Sequence, residues 1–401
     1  PALSDVKIMK NILESIGVKI SENISDRNQL IINAENIYKS DLPLNLVNEL
    51  RASFFCIGPL LARLGEASLA LPGGCKIGER PIKEHIKGLE ALGASVNIKD
   101  GFIKAKINHT KRKLSGAKIK LGFPSVGATE TLIMAATLAQ GETIINNAAR
   151  EPEIQDLCEM LNKMGAKISG AGESTIMIKG VNYLNGCEHE VIPDRIEAGT
   201  FLIAAAATFS SITVSPVIPT HLESLLDKLK ESGSEIVIKN NSISIKTEKI
   251  KAVNIETAPF PGFPTDLQAP FTALMLKASG ESVIKETIFE NRMNHIEVLK
   301  RMGASIKLEN NTAIIKGVKQ LSGKKLKGSD LRSTAAMIIA ALTSNNISLV
   351  EGLEHLDRGY EDFECKLKTL GAKVKRDLTQ NFSGISYEET IQKDPNKFNA
   401  A

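Results

Sequence analysis

The 401-residue sequence contains no tryptophan, and its other aromatics are sparse, 13 Phe and 4 Tyr. Cysteine is scarce too: Cys56, Cys75, Cys158, Cys187 and Cys365 form an odd set without CxxC spacing. Such a set argues against a disulfide framework or structural zinc and for a reducing compartment. Charge of one sign is not in excess: 50 basic residues face 46 acidic ones, a net of +4. A nucleic-acid binder would show a strongly basic stripe instead. No apolar run reaches the length of a membrane span, and no basic-then-apolar signal peptide opens the sequence. Neither a Walker A loop nor a dinucleotide GxGxxG is present. The six histidines (His85, His109, His189, His221, His295 and His355) lack metal-ligand spacing. These absences lead to the expectation of a cytoplasmic protein with no metal, no cofactor, no nucleic acid and no membrane as partner.

What the sequence does contain is internal repetition. An apolar-periodic helix, a glycine and an alternating strand recur six times, at Gly17, Gly93, Gly165, Gly233, Gly303 and Gly371. Glycine is the cheapest residue for the left-handed position that ends a helix. Between these units lies a second kind of helix, rich in Ala, Gly, Ser and Thr, starting near Arg51, Thr129, Glu197, Asp266 and Arg332. Small residues on every face imply close packing within a layer rather than a solvent face. Each unit thus reads as strand and small-residue helix, strand and amphipathic helix, then a β-hairpin. The fold class expected is α/β, with six units of about 70 residues, a spacing too long for an ordinary solenoid. Split three and three, they give domains at 1–190 and 191–378, followed by a polar C-terminal tail at 379–401. There are six amphipathic helices but five small-residue ones, and the pattern begins mid-helix at Pro1. The first unit is therefore expected to be incomplete, with its missing helix upstream.

Two features carry chemistry. Leu71–Pro81 places Cys75 among three glycines, two prolines, Lys76 and Arg80. Nearby cations favour a thiolate, which suits a lid with a reactive thiol, although Gly/Pro clusters also form plain turns. The second feature is a set of arginines at the starts of helices: Arg51, Arg195 and Arg332, with Arg292 and Arg358 ahead of amphipathic helices. A helix start attracts anions, so an arginine there opposes the helix dipole. Acids at such places, Asp266 and Asp330 among them, are explicable as caps. Repeat-equivalent arginines instead suggest a converging site for a multiply charged anion, since Arg pairs suit carboxylate and phosphate.

The same residues resemble a known family. Leu71–Pro81, Ser125-Val126-Gly127-Ala128-Thr129, Arg150-Glu151-Pro152-Glu153-Ile154, Pro193-Asp194-Arg195-Ile196-Glu197, Phe263-Pro264-Thr265-Asp266, Phe289-Glu290-Asn291-Arg292, Asp330-Leu331-Arg332 and Asp357-Arg358-Gly359-Tyr360 stand in one order. That order resembles the enolpyruvyl transferases, in particular the UDP-N-acetylglucosamine 1-carboxyvinyltransferases that begin peptidoglycan synthesis. The resemblance spans roughly residues 1–377 and implies two inside-out α/β barrels closing over the substrates. It implies transfer of the enolpyruvyl group of phosphoenolpyruvate to the 3′-hydroxyl of UDP-N-acetylglucosamine, with phosphate released. By the same resemblance Cys75 is the general acid and the target of fosfomycin. Asp266 takes the sugar hydroxyl's proton. Arg80 and Arg358 hold the phosphate, and Arg292 and Arg332 hold the carboxylate. Arg51, Arg80, Pro81, Ile82, Lys83, Glu84, Ser125, Val126, Gly127, Asp266 and Ile288 match positions that contact the UDP-sugar. The sequence departs from the family at Phe123, where a basic residue often stands, and in having no match for the family's N-terminal Lys-Asn pair. The sister enzyme acting on shikimate 3-phosphate lacks the cysteine lid. A non-catalytic UDP-sugar-binding paralogue and a different enolpyruvyl transferase remain as alternatives.

Overall fold

The computed structural model describes residues 1–23, 28–71, 82–107 and 113–377. Most of the Cys75 segment, including Cys75, Arg80 and Pro81, and the 379–401 tail lie outside the described residues. The rest is a mixed α/β structure in which two kinds of helix alternate with small sheets.

The amphipathic helices are Ser4–Ser15, Lys83–Ala91, Pro152–Lys163, Glu223–Glu231, His295–Arg301 and Phe363–Thr369. Each presents one apolar stripe to a core. In Glu223–Glu231 that stripe is Leu225, Leu226 and Leu229, at the i, i+1, i+4 spacing of one helical face. All six predicted glycines follow these helices, and all six have φ between +93° and +109°. A side chain at such a φ is strained, so the glycine stops the helix and turns the chain into the next strand.

The small-residue helices are Val126–Ala136, Arg195–Ala207, Thr265–Met275 and Leu331–Leu342. The stretch from Arg51 differs: it is a 3-10 helix, Arg51–Cys56, that continues as the α-helix Ile57–Leu64. These helices are buried almost all round. In Arg195–Ala207, Ile196 and every residue from Ala198 onward are inside. Close approach explains the composition. A Cβ on Gly199 would lie 2.7 Å from Leu267 Cδ1, and one on Gly58 would lie 2.5 Å from the carbonyl oxygen of Thr131. Thr265–Met275 packs against both Arg195–Ala207 and Leu331–Leu342. It also contains Pro270, which cannot return a backbone N–H to the carbonyl of Asp266.

Two four-stranded sheets share one topology. Lys118–Lys120 and Glu142–Asn146 pair in parallel, Thr175–Lys179 joins antiparallel, and Lys167–Ser169 closes the hairpin. Ile255–Glu256, Glu281–Lys285, Thr312–Lys316 and Ser305–Glu309 follow the same order. In each case the parallel pair brackets a small-residue helix, because parallel strands need a crossover. Two three-stranded sheets also match: Glu66–Ala70, Phe102–Ile107, Ala94–Lys99, and Ser211–Val214, Ser242–Lys246, Glu235–Lys239. The strands bury alternate residues. Ile176 and Ile178 face in while Met177 faces out, as a period of two requires. Two large hydrophobic cores result, one drawing on residues between Ile12 and Ile178, the other on residues between Ile196 and Ala340. A buried residue such as Phe271 stabilises its core by about 2–3 kcal/mol.

Candidate active site

Asp266 lies in the first turn of the Thr265–Met275 helix. A carboxylate there could be a cap, but this one is not: it is shared by two arginines. Arg292 Nη2 donates to Asp266 Oδ1 at 2.6 Å, and Arg332 Nη2 donates to Asp266 Oδ2 at 2.9 Å. Burial pushes the Asp266 carboxyl upward, yet Arg332 and then Arg292 outweigh it and hold the group far below the usual carboxylate range. Asp330, by contrast, is a plain cap. Its Oδ1 accepts from the backbone N–H groups of Arg332 and Ser333, both at 3.0 Å, in a capping box.

Both arginines are built in. Arg292 Nη1 donates to Thr265 Oγ1 at 2.8 Å, and the Thr265 hydroxyl donates to Glu286 Oε2 at 2.8 Å. Glu286 is itself buried and accepts from Thr257 Oγ1 and from the N–H groups of Ile288 and Phe289. The Arg292 guanidinium stacks 5.2 Å from the Phe289 ring centroid. Arg332 lies 5.5 Å from the centroid of Tyr360, whose hydroxyl shares a 2.8 Å hydrogen bond with Thr200. One N–H on each arginine, Arg292 Nε and Arg332 Nη1, is buried with no hydrogen-bond partner among the described residues. A buried guanidinium N–H without an acceptor is costly, so the pair has capacity for a further anion.

Arg358 stands near this group along the chain, two residues before Tyr360, but its guanidinium is turned to Asp5. Nε donates to Asp5 Oδ1 at 2.8 Å and Nη2 to Asp5 Oδ2 at 3.1 Å. Ser4 N–H donates to the carbonyl of Asp357 beside it. Arg195 is taken up by Glu153, Nε to Oε1 at 2.9 Å, and lies over Phe260.

In the first half the candidate residues gather at the start of the Val126–Ala136 helix. Ser125 caps it, accepting from Ala128 N–H. Val126 and Gly127 are half-buried in its first turn, and a Cβ on Gly127 would lie 3.2 Å from His85 Nε2. Ile82 stands at the N-terminal boundary of the Lys83–Ala91 helix, without a side-chain cap, and packs on the core; Lys83 is exposed. Glu84 Oε2 accepts from Gly122 N–H at 2.7 Å. Phe54 meets His85 edge-on at 5.0 Å. Burial, and then the charge of Arg51, lower His85 to about 4, so it is neutral at pH 7. On the Val126–Ala136 helix, burial and the charges of Glu153 and Glu151 push Glu130 up to about 8.

Comparison with known proteins places this arrangement. A family model described as EPSP synthase (3-phosphoshikimate 1-carboxyvinyltransferase) matches residues 1–367. The chain belongs to the EPSP synthase family. A relative from Prochlorococcus marinus (strain MIT 9312), named UDP-N-acetylglucosamine 1-carboxyvinyltransferase, is 66% identical over 390 residues, covering 97% of this chain and 84% of that protein. Among solved structures, the enolpyruvyl transferase NikO from Streptomyces tendae matches with TM-score 0.84 at 21% identity, covering 94% of this chain and 88% of its own. EPSP synthase from Acinetobacter baumannii matches with TM-score 0.67 at 19% identity, covering 90% and 87%. At those identities the two structures speak for the shared EPSP synthase family fold.

Within this family frame, the structure joins Asp266, Arg292 and Arg332, three residues far apart in sequence. Ile288 belongs to the same corner through its N–H bond to Glu286. The sequence reading did not single out Glu286, Thr265, Tyr360, Asp5 or Glu130. The first three sat in or beside quoted motifs, so proximity to Asp266 was a usable signal for them. Glu130 directly follows the Ser125–Thr129 motif, whereas Asp5 gave no signal, because its role depends on a residue distant in the chain. Cys56 and Cys158 are each pushed up to about 12 by burial, which leaves them poor nucleophiles.

Proposed function

We propose that the chain transfers the enolpyruvyl group of phosphoenolpyruvate to the 3′-hydroxyl of UDP-N-acetylglucosamine, releasing phosphate, as a step of peptidoglycan synthesis. The observation that carries this is the Asp266–Arg292–Arg332 cluster, a carboxylate and two partly unsatisfied guanidiniums at one helix start. The near-full-length likeness to relatives named for this activity supports it. In the addition step the sugar oxygen bonds to C2 of phosphoenolpyruvate. The C2=C3 electron pair takes a proton from Cys75, and Asp266 takes the hydroxyl proton. In the elimination step C3 loses a proton, the double bond re-forms and the C2–O bond breaks, its electron pair leaving with phosphate. Arg292 and Arg332 hold the substrate carboxylate and steady the shifting charge; Arg80 and Arg358 hold the phosphate. Arg51, Pro81, Ile82, Lys83, Glu84, Ser125, Val126, Gly127 and Ile288 line the UDP-sugar side.

The finer architecture belongs to the same reading: six units in two inside-out α/β barrels, residues 1–190 and 191–378, in a cytoplasmic enzyme. The six left-handed glycines, the paired sheet topologies and the two separate cores support it. No described helix is long and apolar enough to cross a membrane.

Phosphate release from phosphoenolpyruvate tests the reaction. Release is expected with UDP-N-acetylglucosamine and not without it, and fosfomycin should label Cys75 and fail to label Cys75→Ala. Release with shikimate 3-phosphate instead would move the chain to the other activity of the family. UDP-sugar binding with no release under any condition would make it a binding paralogue.

A further inference from the structure

The two arginines and Asp266 differ in how firmly they are held. The Arg292 side chain is 6% exposed and that of Arg332 is 12% exposed, while Asp266 is 35% exposed. Arg292 is pinned by Thr265 and Phe289, and Arg332 by Tyr360. Among the described residues the Asp266 carboxylate bonds only to the two arginines, and its exposure gives it room to rotate. Each arginine spends one Nη2 on this carboxylate and keeps one buried N–H without an acceptor. Two fixed cations facing one carboxylate, with donors left over, form a site whose present occupant is a side chain.

The geometry points to Asp266 as a placeholder. In the free protein its carboxylate fills the two-arginine site, and the carboxylate of incoming phosphoenolpyruvate displaces it, releasing it toward the sugar hydroxyl. This rests on the proposed transferase reading and adds an order of events to it. A carboxylate pinned between two guanidiniums is a weak base, because any proton it accepts must overcome both cations. Once a substrate carboxylate takes the arginines, the side chain loses that restraint and regains ordinary basicity. The base is thus disarmed until phosphoenolpyruvate is in place. The exchange also conserves charge at the site, one carboxylate for another, so neither arginine is left buried and unpaired.

The test uses the whole chain labelled with 13C at the aspartate carboxylates, the Asp266 resonance being assigned by its absence in Asp266→Asn. Saturating phosphoenolpyruvate should move that resonance toward the position of a solvent-exposed aspartate. Pyruvate, which has the carboxylate and no phosphate, should do the same, and inorganic phosphate should not. A resonance unmoved by phosphoenolpyruvate that equilibrium dialysis shows to be bound overturns the proposal, as does displacement by inorganic phosphate alone or the absence of any binding. Asp266→Asn supplies a second readout. With no charged occupant to displace, it should bind phosphoenolpyruvate at least about tenfold tighter than the unsubstituted chain, about 1.4 kcal/mol, while turnover collapses. Equal or weaker binding by a folded Asn variant overturns the proposal. Should that variant not fold, Asp266→Glu, which keeps the charge and removes the aspartate signal, assigns the resonance, and the shift remains the deciding measurement. Failure of the transferase reading itself would show separately, as no sugar-dependent phosphate release by the unsubstituted chain.

Discussion

The Val126–Ala136 and Thr265–Met275 helices occupy the same place in two sheets of identical strand order, and a buried histidine beside each, His85 and His295, is lowered to about 4, yet their carboxyl groups behave in opposite ways. Around the first, His85 and Glu130 are kept neutral near pH 7, one lowered to about 4 and the other raised to about 8. Around the second, Asp266, Arg292 and Arg332 all carry charge. Burial acts on both groups and disfavours charge in both. What differs is the partner. Glu130 faces Glu151 and Glu153, like charges that add to the burial penalty. Asp266 faces two guanidiniums that overcome it. A shared backbone plan therefore sets where a side chain sits but not its protonation state, which follows from what the opposite element contributes.

The comparison breaks most visibly at Asp266. Asp266→Asn should cut turnover about a thousandfold, within the range usual for a general base, while Glu130→Gln should leave turnover within about twofold of normal. Steady-state phosphate release measures both. Next in size is Arg292→Met, which leaves Glu286, Thr265 and Asp266 short of a cation. It should cost about 2–3 kcal/mol in urea unfolding, less than a fully buried pair because Asp266 reaches water.

Glu130→Gln sharpens the contrast through pH. Burial and the neighbouring carboxylates raise the folded group to about 8 from the 4.5 of an unperturbed glutamate, so between these the unfolded chain has released a proton that the folded chain keeps. Stability contributed by this site therefore falls as pH rises from 4.5 to 8. The Gln variant should lose that slope and be more stable at pH 8 by about 1–2 kcal/mol, discounted for partial exposure. A difference in midpoint that does not grow between pH 5 and 8 would refute a neutral Glu130. The smallest effect tests the shared plan itself. Gly93 and Gly303 both have φ of +93° and open space around a would-be Cβ. Gly93→Ala and Gly303→Ala should each cost about 1 kcal/mol, and unequal costs would break the equivalence of the two halves.

Much of the framework was legible in the sequence because its rules are local. A glycine after an apolar stripe announces a left-handed helix end, and all six did so. Small residues on every face announce a buried helix, and Gly199 against Leu267 shows why. The Arg51 stretch was read as one helix, but the structure starts it as a 3-10 turn; Pro59, in the first turn of the α-helix that follows, lacks the N–H that would tie it back. The site was legible as a set of residue types and not as a set of pairs. Arg195 and Arg332 start equivalent helices, yet one ends on Glu153 and the other on Asp266. Arg358 meets Asp5 across 353 residues of sequence. Such pairings arise from how distant elements pack, which no local pattern encodes.

Pro270 gives the cluster a mechanical property as well. Because residue 270 offers no N–H, the backbone turn that carries Asp266 has one fewer rung joining it to the rest of its helix. That turn is held by its buried side chains instead, Leu267 and Gln268 having no exposure. The remaining coils, locked by Phe271 and Leu274 in the core, stay still. Moving the carboxylate then falls to its own side-chain torsions and to the two charge-assisted hydrogen bonds it gives up, with the helix behind it left in place.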